Sequence, residues 1–479
     1  ESAGSLGFRR PPVVRSCRLV PLPQKIWLAG LSASRFGRVM SSSDTRSSNT
    51  NSNAAGPRVA PLSVAERREL QRRFEKAWQT LQQSPAFSLE AHQELTTCVI
   101  ADPACALYAD ALLLNLRKPD HSSRRGFWLG RWTRQSQVVA AALRGDWRTV
   151  FERGPVALGE APRNVPVLLA LVDAHHASGH RETAWRYCEE TLLIDELNPD
   201  VRRRSALVRM TRGHFHAARD DWEFVLAKGV SDPLARRYVE LLPETPRDGA
   251  TDKLPAADAP CDEQLRRLDE LLAARHWQAT ETAWKAALAR HGARLELREF
   301  GDRLALARHE EQLAVARRLA EADAAHATDA RATERLSLWR DLAEELADSQ
   351  LRLEVEILGG RCRLYPDDPA LHGRLAECLE RQRNWPEAAR CWEVAATSSS
   401  PAEAAAAWGR LAQTWQRLRQ YGPSLAAYRK CLEHRGSAPA EWQVRQQALA
   451  QAARLARALG RIEEAEKYER EVSAGEERR

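Results

Sequence analysis

The sequence predicts an all-α chain, a solenoid of stacked helical pairs. Three observations carry that prediction. One signature recurs at a fixed spacing of 34 residues: Gly145, Gly179 and Gly213, then Val150, Ala184 and Ala218, then Leu158, Leu192 and Leu226. Apolar residues on both sides of each glycine follow the helical period. Composition agrees, because charged residues make up 29% and strand-favouring β-branched runs are missing, which leaves no candidate sheet.

The unit around Gly179 shows how each repeat works. Leu168, Leu171, Val172 and His175 lie on one helical face, Gly179 interrupts, and Ala184, Cys188, Thr191 and Leu192 resume the period. A glycine just past a helix accepts the positive φ that ends it at little steric cost. A small residue on the second helix, Ala184 or Ala218, lets the two backbones approach. Asn198-Pro199 and Asp232-Pro233 open the next units, since proline suits a first helical position and restricts the residue before it. One such pair cannot bury both of its apolar faces, so the units must stack.

A second repeated block covers 369–436. His372, Leu375, Ala376, Leu379, Trp385, Ala388, Trp392 and Ala395 match Trp408, Leu411, Ala412, Trp415, Tyr421, Ser424, Tyr428 and Cys431, each pair 36 apart. The alignment puts the two extra residues in the Ser398-Ser399-Ser400 turn, and a weaker unit follows with Ala452, Ala453, Ala456, Gly460, Ile462, Ala465 and Tyr468.

These aromatic, small and aliphatic positions, with the Pro386-Glu387-Ala388 opening of a second helix, resemble the tetratricopeptide repeat (TPR), a 34-residue helix-turn-helix unit. The resemblance implies a right-handed superhelical solenoid in two lobes whose first helices line a concave groove for a peptide or partner helix. It implies groove-facing residues Arg374, Glu377, Arg381, Arg410, Gln413, Arg417, Arg454 and Arg457. That set is net positive and favours an acidic segment or a terminal carboxylate, to which arginine offers bidentate geometry. Some members of the family clamp a terminal carboxylate with Lys and Asn at these places. Glu377 and Gln413 stand where Asn is expected, which leaves acidic-peptide binding in general. The competing reading is that these arginines pair with glutamates along their own helices.

The other segments follow from local signals. Residues 1–61 read as a disordered tail, 62–242 as an N-terminal lobe, 243–261 as a Pro/Gly/Asp-rich linker, 262–472 as a C-terminal lobe and 473–479 as a charged tail. Within the tail, 1–39 reads as upstream sequence translated ahead of Met40, or alternatively as an Arg-rich targeting peptide. Ser63 and Glu66 form a capping box before Leu70, Phe74, Ala77, Trp78 and Leu81. Ala91, Leu95, Cys98 and Val99 continue as its partner helix, and Tyr108 to Leu116 is the next helix. Leu234 to Leu242 begins a further first helix, which Pro243 and Pro246 end. After the linker, Leu265, Leu268, Leu271 and Leu272 pair with Trp277, Thr280, Trp284 and Leu288, and two further pairs are expected over 294–322 and 332–365.

Charge excludes a global case for nucleic acid. Of the net charge of +7, +6 resides in residues 1–40, where Arg9, Arg10, Arg15, Arg18, Lys25, Arg35 and Arg38 face only Glu1. One local exception is the basic, aromatic stretch 115–134, with Arg117, Lys118, Arg124, Arg125, Arg131 and Arg134 among Phe127, Trp128 and Trp132. Basic residues interleaved with aromatics suit phosphates and bases or an anionic surface. The plainer alternative packs the aromatics into the next repeat and leaves the arginines solvated.

No catalytic signature emerges, and neither a cofactor nor a metal is expected. His309-Glu310-Glu311-Gln312 opens like a zinc-protease helix, but Leu313 stands where the second histidine is needed. His175, His176 and His180, with His214 and His216, read as turn histidines, and the acid pairs Asp220-Asp221, Glu344-Glu345 and Asp367-Asp368 as solvated. Nine scattered cysteines without a Cys-x-x-Cys pair read as reduced small hydrophobes, hence a cytoplasmic setting. No apolar run approaches the roughly 20 residues that span a bilayer. The expectation is a non-catalytic scaffold that binds protein.

Overall fold

Local rules set the helix ends. In the computed structural model, which describes residues 62–119, 128–229, 231–244, 260–292, 294–325, 330–398, 400–433 and 439–476, Ser63 accepts from the Glu66 amide and Glu66 accepts from the Ser63 amide. That capping box starts α1 (Val64–Gln83), followed by α2 (Leu89–Ala101) and α3 (Ala106–Arg117). All described residues belong to one compact unit, Gly56–Arg479. The predicted tail 1–61, most of the predicted linker and residues 477–479 lie outside them, whereas residues 473–476 of the predicted charged tail end the helix Ile462–Glu476.

Seven hairpins then share one turn chemistry. They are α4 (Trp128–Leu143) with α5 (Trp147–Glu160), α6 (Val165–Ala177) with α7 (Arg181–Ile194), α8 (Pro199–Thr211) with α9 (Phe215–Ala227), and α11 (Cys261–Ala273) with α12 (Trp277–His291). The last three are α15 (Pro369–Arg381) with α16 (Trp385–Ala395), α17 (Pro401–Arg417) with α18 (Tyr421–Glu433), and α19 (Pro439–Ala458) with α20 (Ile462–Glu476). In each turn one residue in the left-handed region donates three residues back and the next donates five back, as in Gly179 to His176 and His180 to His175. This is the Schellman arrangement, which satisfies carbonyls left open at a helix end.

Gly145, Gly179, Gly213 and Gly460 hold that position with φ between 72° and 76°, but in the other three turns Arg275, Arg383 and Arg419 hold it at 57°, 60° and 58°. The turn tolerates the strain of a Cβ there because the rest of the hairpin imposes it. Arg383→Gly and Arg419→Gly are therefore expected to stabilise the protein by about 0.5–1 kcal/mol each. A urea midpoint that falls in either variant would show the arginines to be held by something other than turn strain.

Between these blocks the structure departs from expectation. Residues 295–364 do not form two hairpins. They form one, of α13 (Leu295–Ala324) and α14 (Ala330–Leu364), helices of 30 and 35 residues. No proline interrupts either stretch, and Gly301, Gly359 and Gly360 lie within helix rather than at a left-handed turn, so nothing stops propagation. In the second block the added residues extend α17, at 17 residues against 13 for α15, because Pro401 and a run of alanines favour helix.

The long hairpin joins both halves of the chain. Its distal half buries Val315, Leu319, Trp339 and Leu342 against Trp222 of α9 and Tyr238 of α10 (Pro233–Leu241). Near the base of α13, Phe300 packs with Leu268 and Ala283, and near the base of α14, Leu358 packs with Leu375 and Leu379 of α15. Arg237 pairs with the buried Asp323 at 2.8 Å, and Gln312 donates to the Gly213 carbonyl at 3.1 Å. Helix α1 packs on α2 and α3, and these two lie against second helices of the following hairpins, α2 on α5 and α3 on α7. There Gly159 allows the contact, since a Cβ on it would come within 2.3 Å of the His92 ring.

Candidate binding face

The face suggested by the repeat resemblance lies on α15, α17 and α19. Glu380 ties the first two together, accepting from Trp392 Nε1 and from Thr414 Oγ1, both at 2.8 Å. Helices α17 and α19 pack directly on each other. Buried Leu375, Ala376, Leu411, Ala412, Ala452 and Ala453 hold the inner sides of these helices. All eight expected residues, Arg374, Glu377, Arg381, Arg410, Gln413, Arg417, Arg454 and Arg457, are exposed.

Their electrostatics divide them. Arg381 pairs with Glu354 of α14 at 3.2 Å, and Arg457 pairs with Glu469 of α20 at 2.9 Å. Arg417 lies over the Trp385 ring, 5.9 Å from its centre. Arg374, Arg410 and Arg454 have no ion pair or side-chain hydrogen bond among the described residues. Ion pairs thus engage Arg381 and Arg457, Arg417 keeps its charge over the Trp385 ring, and Arg374, Arg410 and Arg454 have neither kind of contact, with Glu377 as the one acid among the eight.

Three of the six basic residues of the stretch have described side chains, and each of the three has a partner within the protein. Arg117 pairs with Glu190 and Arg134 with Glu160, both at 2.6 Å, while Lys118 Nζ donates to the Leu81 and Ser84 carbonyls. Arg124 and Arg125 lie outside the described residues, as does the side chain of Arg131, which sits on α4. Arg117, Lys118, Arg163 and Glu190 line an open cleft of about 720 Å³ between the C-terminal ends of α3 and α7 and the α5–α6 turn.

Burial pushes the Cys98, Cys378, Cys391 and Cys431 thiols up to about 11, and that of Cys188 to about 12, far from an activated thiolate. Among the described residues no three His, Cys, Asp or Glu side chains gather as a metal site. No described helix is long and apolar enough to cross a membrane.

Comparison with known proteins adds little. No family model matches the sequence, and no curated protein matches it. Among the solved structures that it matches is the TPR domain of P58(IPK). The identity is 16%, over 69% of this chain and 99% of that domain, with a TM-score of 0.24. At that TM-score, function rests on this chain's own geometry.

Of the acid pairs and turn histidines that the sequence placed in solvent, Asp221 and His175 are fully buried, while Asp220, Glu344, Glu345 and Asp367 are exposed as expected. Asp221 is fully buried, 2.8 Å from Arg202 and 3.0 Å from Arg209 of α8. Glu345, from a second acid pair, bonds Arg181, and Asp368 caps α15 through the Ala370 and Leu371 amides. His216 is 2.9 Å from Glu311, which also accepts from Trp277 at 2.6 Å and from Arg275 at 3.1 Å. Burial raises the Glu311 carboxyl, but bonds from His216 and Trp277 and the nearby Arg275 more than offset it and leave it below its usual value. Periodicity could not show the Asp221 and Glu311 clusters, because their partners come from other helices and turns.

Proposed function

We propose that this protein is a non-catalytic TPR-like scaffold that binds an acidic segment of a protein partner along α15, α17 and α19. The observation that carries the reading is the trio Arg374, Arg410 and Arg454: each is exposed, each is free of an acidic partner, and each stands on the first helix of a successive hairpin. Each keeps its charge and donors available to an incoming acceptor, and the planar guanidinium matches a carboxylate. The engagement of Arg117, Lys118 and Arg134 within the protein disfavours the nucleic-acid alternative.

Two titrations of the full chain test this against each other. An acidic peptide pool should bind, and the triple variant Arg374→Ala, Arg410→Ala, Arg454→Ala should lose at least tenfold in affinity. A single-stranded oligonucleotide should bind weakly and indifferently to Arg117→Ala with Arg134→Ala. If the oligonucleotide instead binds tightly, with a steep loss in salt that those two substitutions abolish, the scaffold reading yields to the alternative.

A further inference from the structure

We infer that His216 is a proton-dependent clasp, which as an imidazolium fastens α9 to α13 and to the α11–α12 hairpin and which loosens when the ring gives up a proton. Helix α13 carries two separate apolar clusters. Leu297, Phe300 and Leu304 pack with Leu268, Leu271 and Ala283 of the α11–α12 hairpin, whereas Val315, Ala316 and Leu319, which begin about 16 Å further along the helix, pack with Phe215, Ala218 and Trp222 of α9. Among the described residues neither cluster holds side chains of both α9 and that hairpin. Between the clusters stands Glu311, on which bonds from His216, Trp277 and Arg275 meet.

Both ring nitrogens of His216 face acceptors. Nδ1 lies 3.1 Å from the Glu244 carbonyl oxygen, and Nε2 lies 2.9 Å from Glu311 Oε2. A carbonyl oxygen and an ionised carboxylate only accept, and a neutral imidazole has a single N–H. The geometry therefore calls for a proton on each nitrogen beside an ionised Glu311. Burial raises the Glu311 carboxyl, but its bonds and the nearby Arg275 leave it below its usual value, which agrees with that charge state. Other charges around the ring have partners of their own. Arg308 of α13 pairs with Glu281 of α12 at 3.4 Å, and Arg219 of α9 turns to Glu223, Glu244 and the Leu242 carbonyl. His216 stands in the first turn of α9, where the helix dipole disfavours a cation. The imidazolium thus depends on the Glu311 charge.

Loss of the proton loosens the joint whichever nitrogen gives it up. If Nδ1 keeps its hydrogen, Nε2 turns a lone pair to Oε2 at 2.9 Å and the two repel. The Trp277 indole, which donates to Oε2 at 2.6 Å, then has a second acceptor in Nε2 at 3.2 Å. If Nε2 keeps its hydrogen, the Glu244 carbonyl loses its donor and the Glu311 bond loses its charge assistance. Arg275 ties Glu311 to the hairpin in either case, so the joint gives on the α9 side.

The test uses the full chain with histidine labelled at Cε1, the His216 resonance being identified by its loss in His216→Ala. It is read beside amide hydrogen exchange at the α11–α12 turn, where the His276 and Thr280 amides donate to the Leu271 and His276 carbonyls. Between about pH 5 and 8, where an imidazole titrates, protection of those amides, corrected for intrinsic rate, should fall about tenfold, the worth of one bond to a charged group. The fall should follow the His216 titration. His216→Arg, a cation throughout, should keep the protection at both ends of the range, and Glu311→Gln should lack it at both. Unchanged circular dichroism shows that the variants fold. Protection in the unsubstituted chain that does not follow the His216 titration overturns the clasp, as does a fall of equal size in His216→Arg or full protection in Glu311→Gln.

Discussion

Asp221→Ala should lower the unfolding free energy by about 3–5 kcal/mol, as expected when one partner of a buried ion pair is removed. The carboxylate has no exposed surface and sits between Arg202 and Arg209, both mostly buried. Arg202 also lies over Phe224, and Arg209 over Trp185, so neither guanidinium can turn to water without giving up packing. Losing the acid leaves Arg209 without a counter-charge and Arg202 with only the exposed Glu196, at 2.7 Å. Asp220→Ala, at the exposed neighbouring position, should change stability by less than about 1 kcal/mol. Urea unfolding of the two variants side by side checks the claim, and similar midpoints would mean that the Asp221 cluster is not dry in solution.

The second large effect is a loss of stability in mild acid. His175 is fully buried, stacked on Tyr187 with ring centres 5.2 Å apart and flanked by Phe151 at 4.8 Å and His180 at 5.7 Å. Neither ring nitrogen has a hydrogen-bond partner among the described residues. Burial, with a smaller push from His180, lowers it to about 3, and burial with the nearby Arg181 lowers half-buried His176 to about 4. Burial also lowers His180, against the opposing pull of Asp102. The unfolded chain takes up these protons below pH ~6.5, whereas the folded chain does not until near 3–4. Folding is thus unopposed by these groups above pH ~6.5 and is progressively disfavoured below it.

With about 1.4 kcal/mol per pH unit per group, two groups remove about 3 kcal/mol between pH 7 and 5.5. Glu311, lowered on balance, acts in a separate window, with its stabilisation lost only as pH falls below the ordinary carboxylate range. His175→Phe should roughly halve the slope between pH 6.5 and 5.5. A slope unchanged in that variant would place the acid sensitivity elsewhere.

Much of this protein was legible residue by residue. The capping box at Ser63, the hairpins around Gly145, Gly179 and Gly213, and the exposure of Arg374, Arg410 and Arg454 all follow from rules that act within about one helical turn or one repeat. The single long hairpin of α13 and α14 was not legible, because frequent alanine and leucine satisfy several helical registers at once and only packing against α9, α10, α12 and α15 selects one. Nor were the buried roles of Asp221, Glu311 and His216, whose partners lie on other helices. Spacing along the chain determined where helices begin, turn and end, since those depend on near-neighbour backbone geometry. Which polar groups are dry, which cations are already paired and which arginines stay without an acidic partner, only the tertiary arrangement decided, because desolvation and ion pairing depend on distances between segments far apart in sequence.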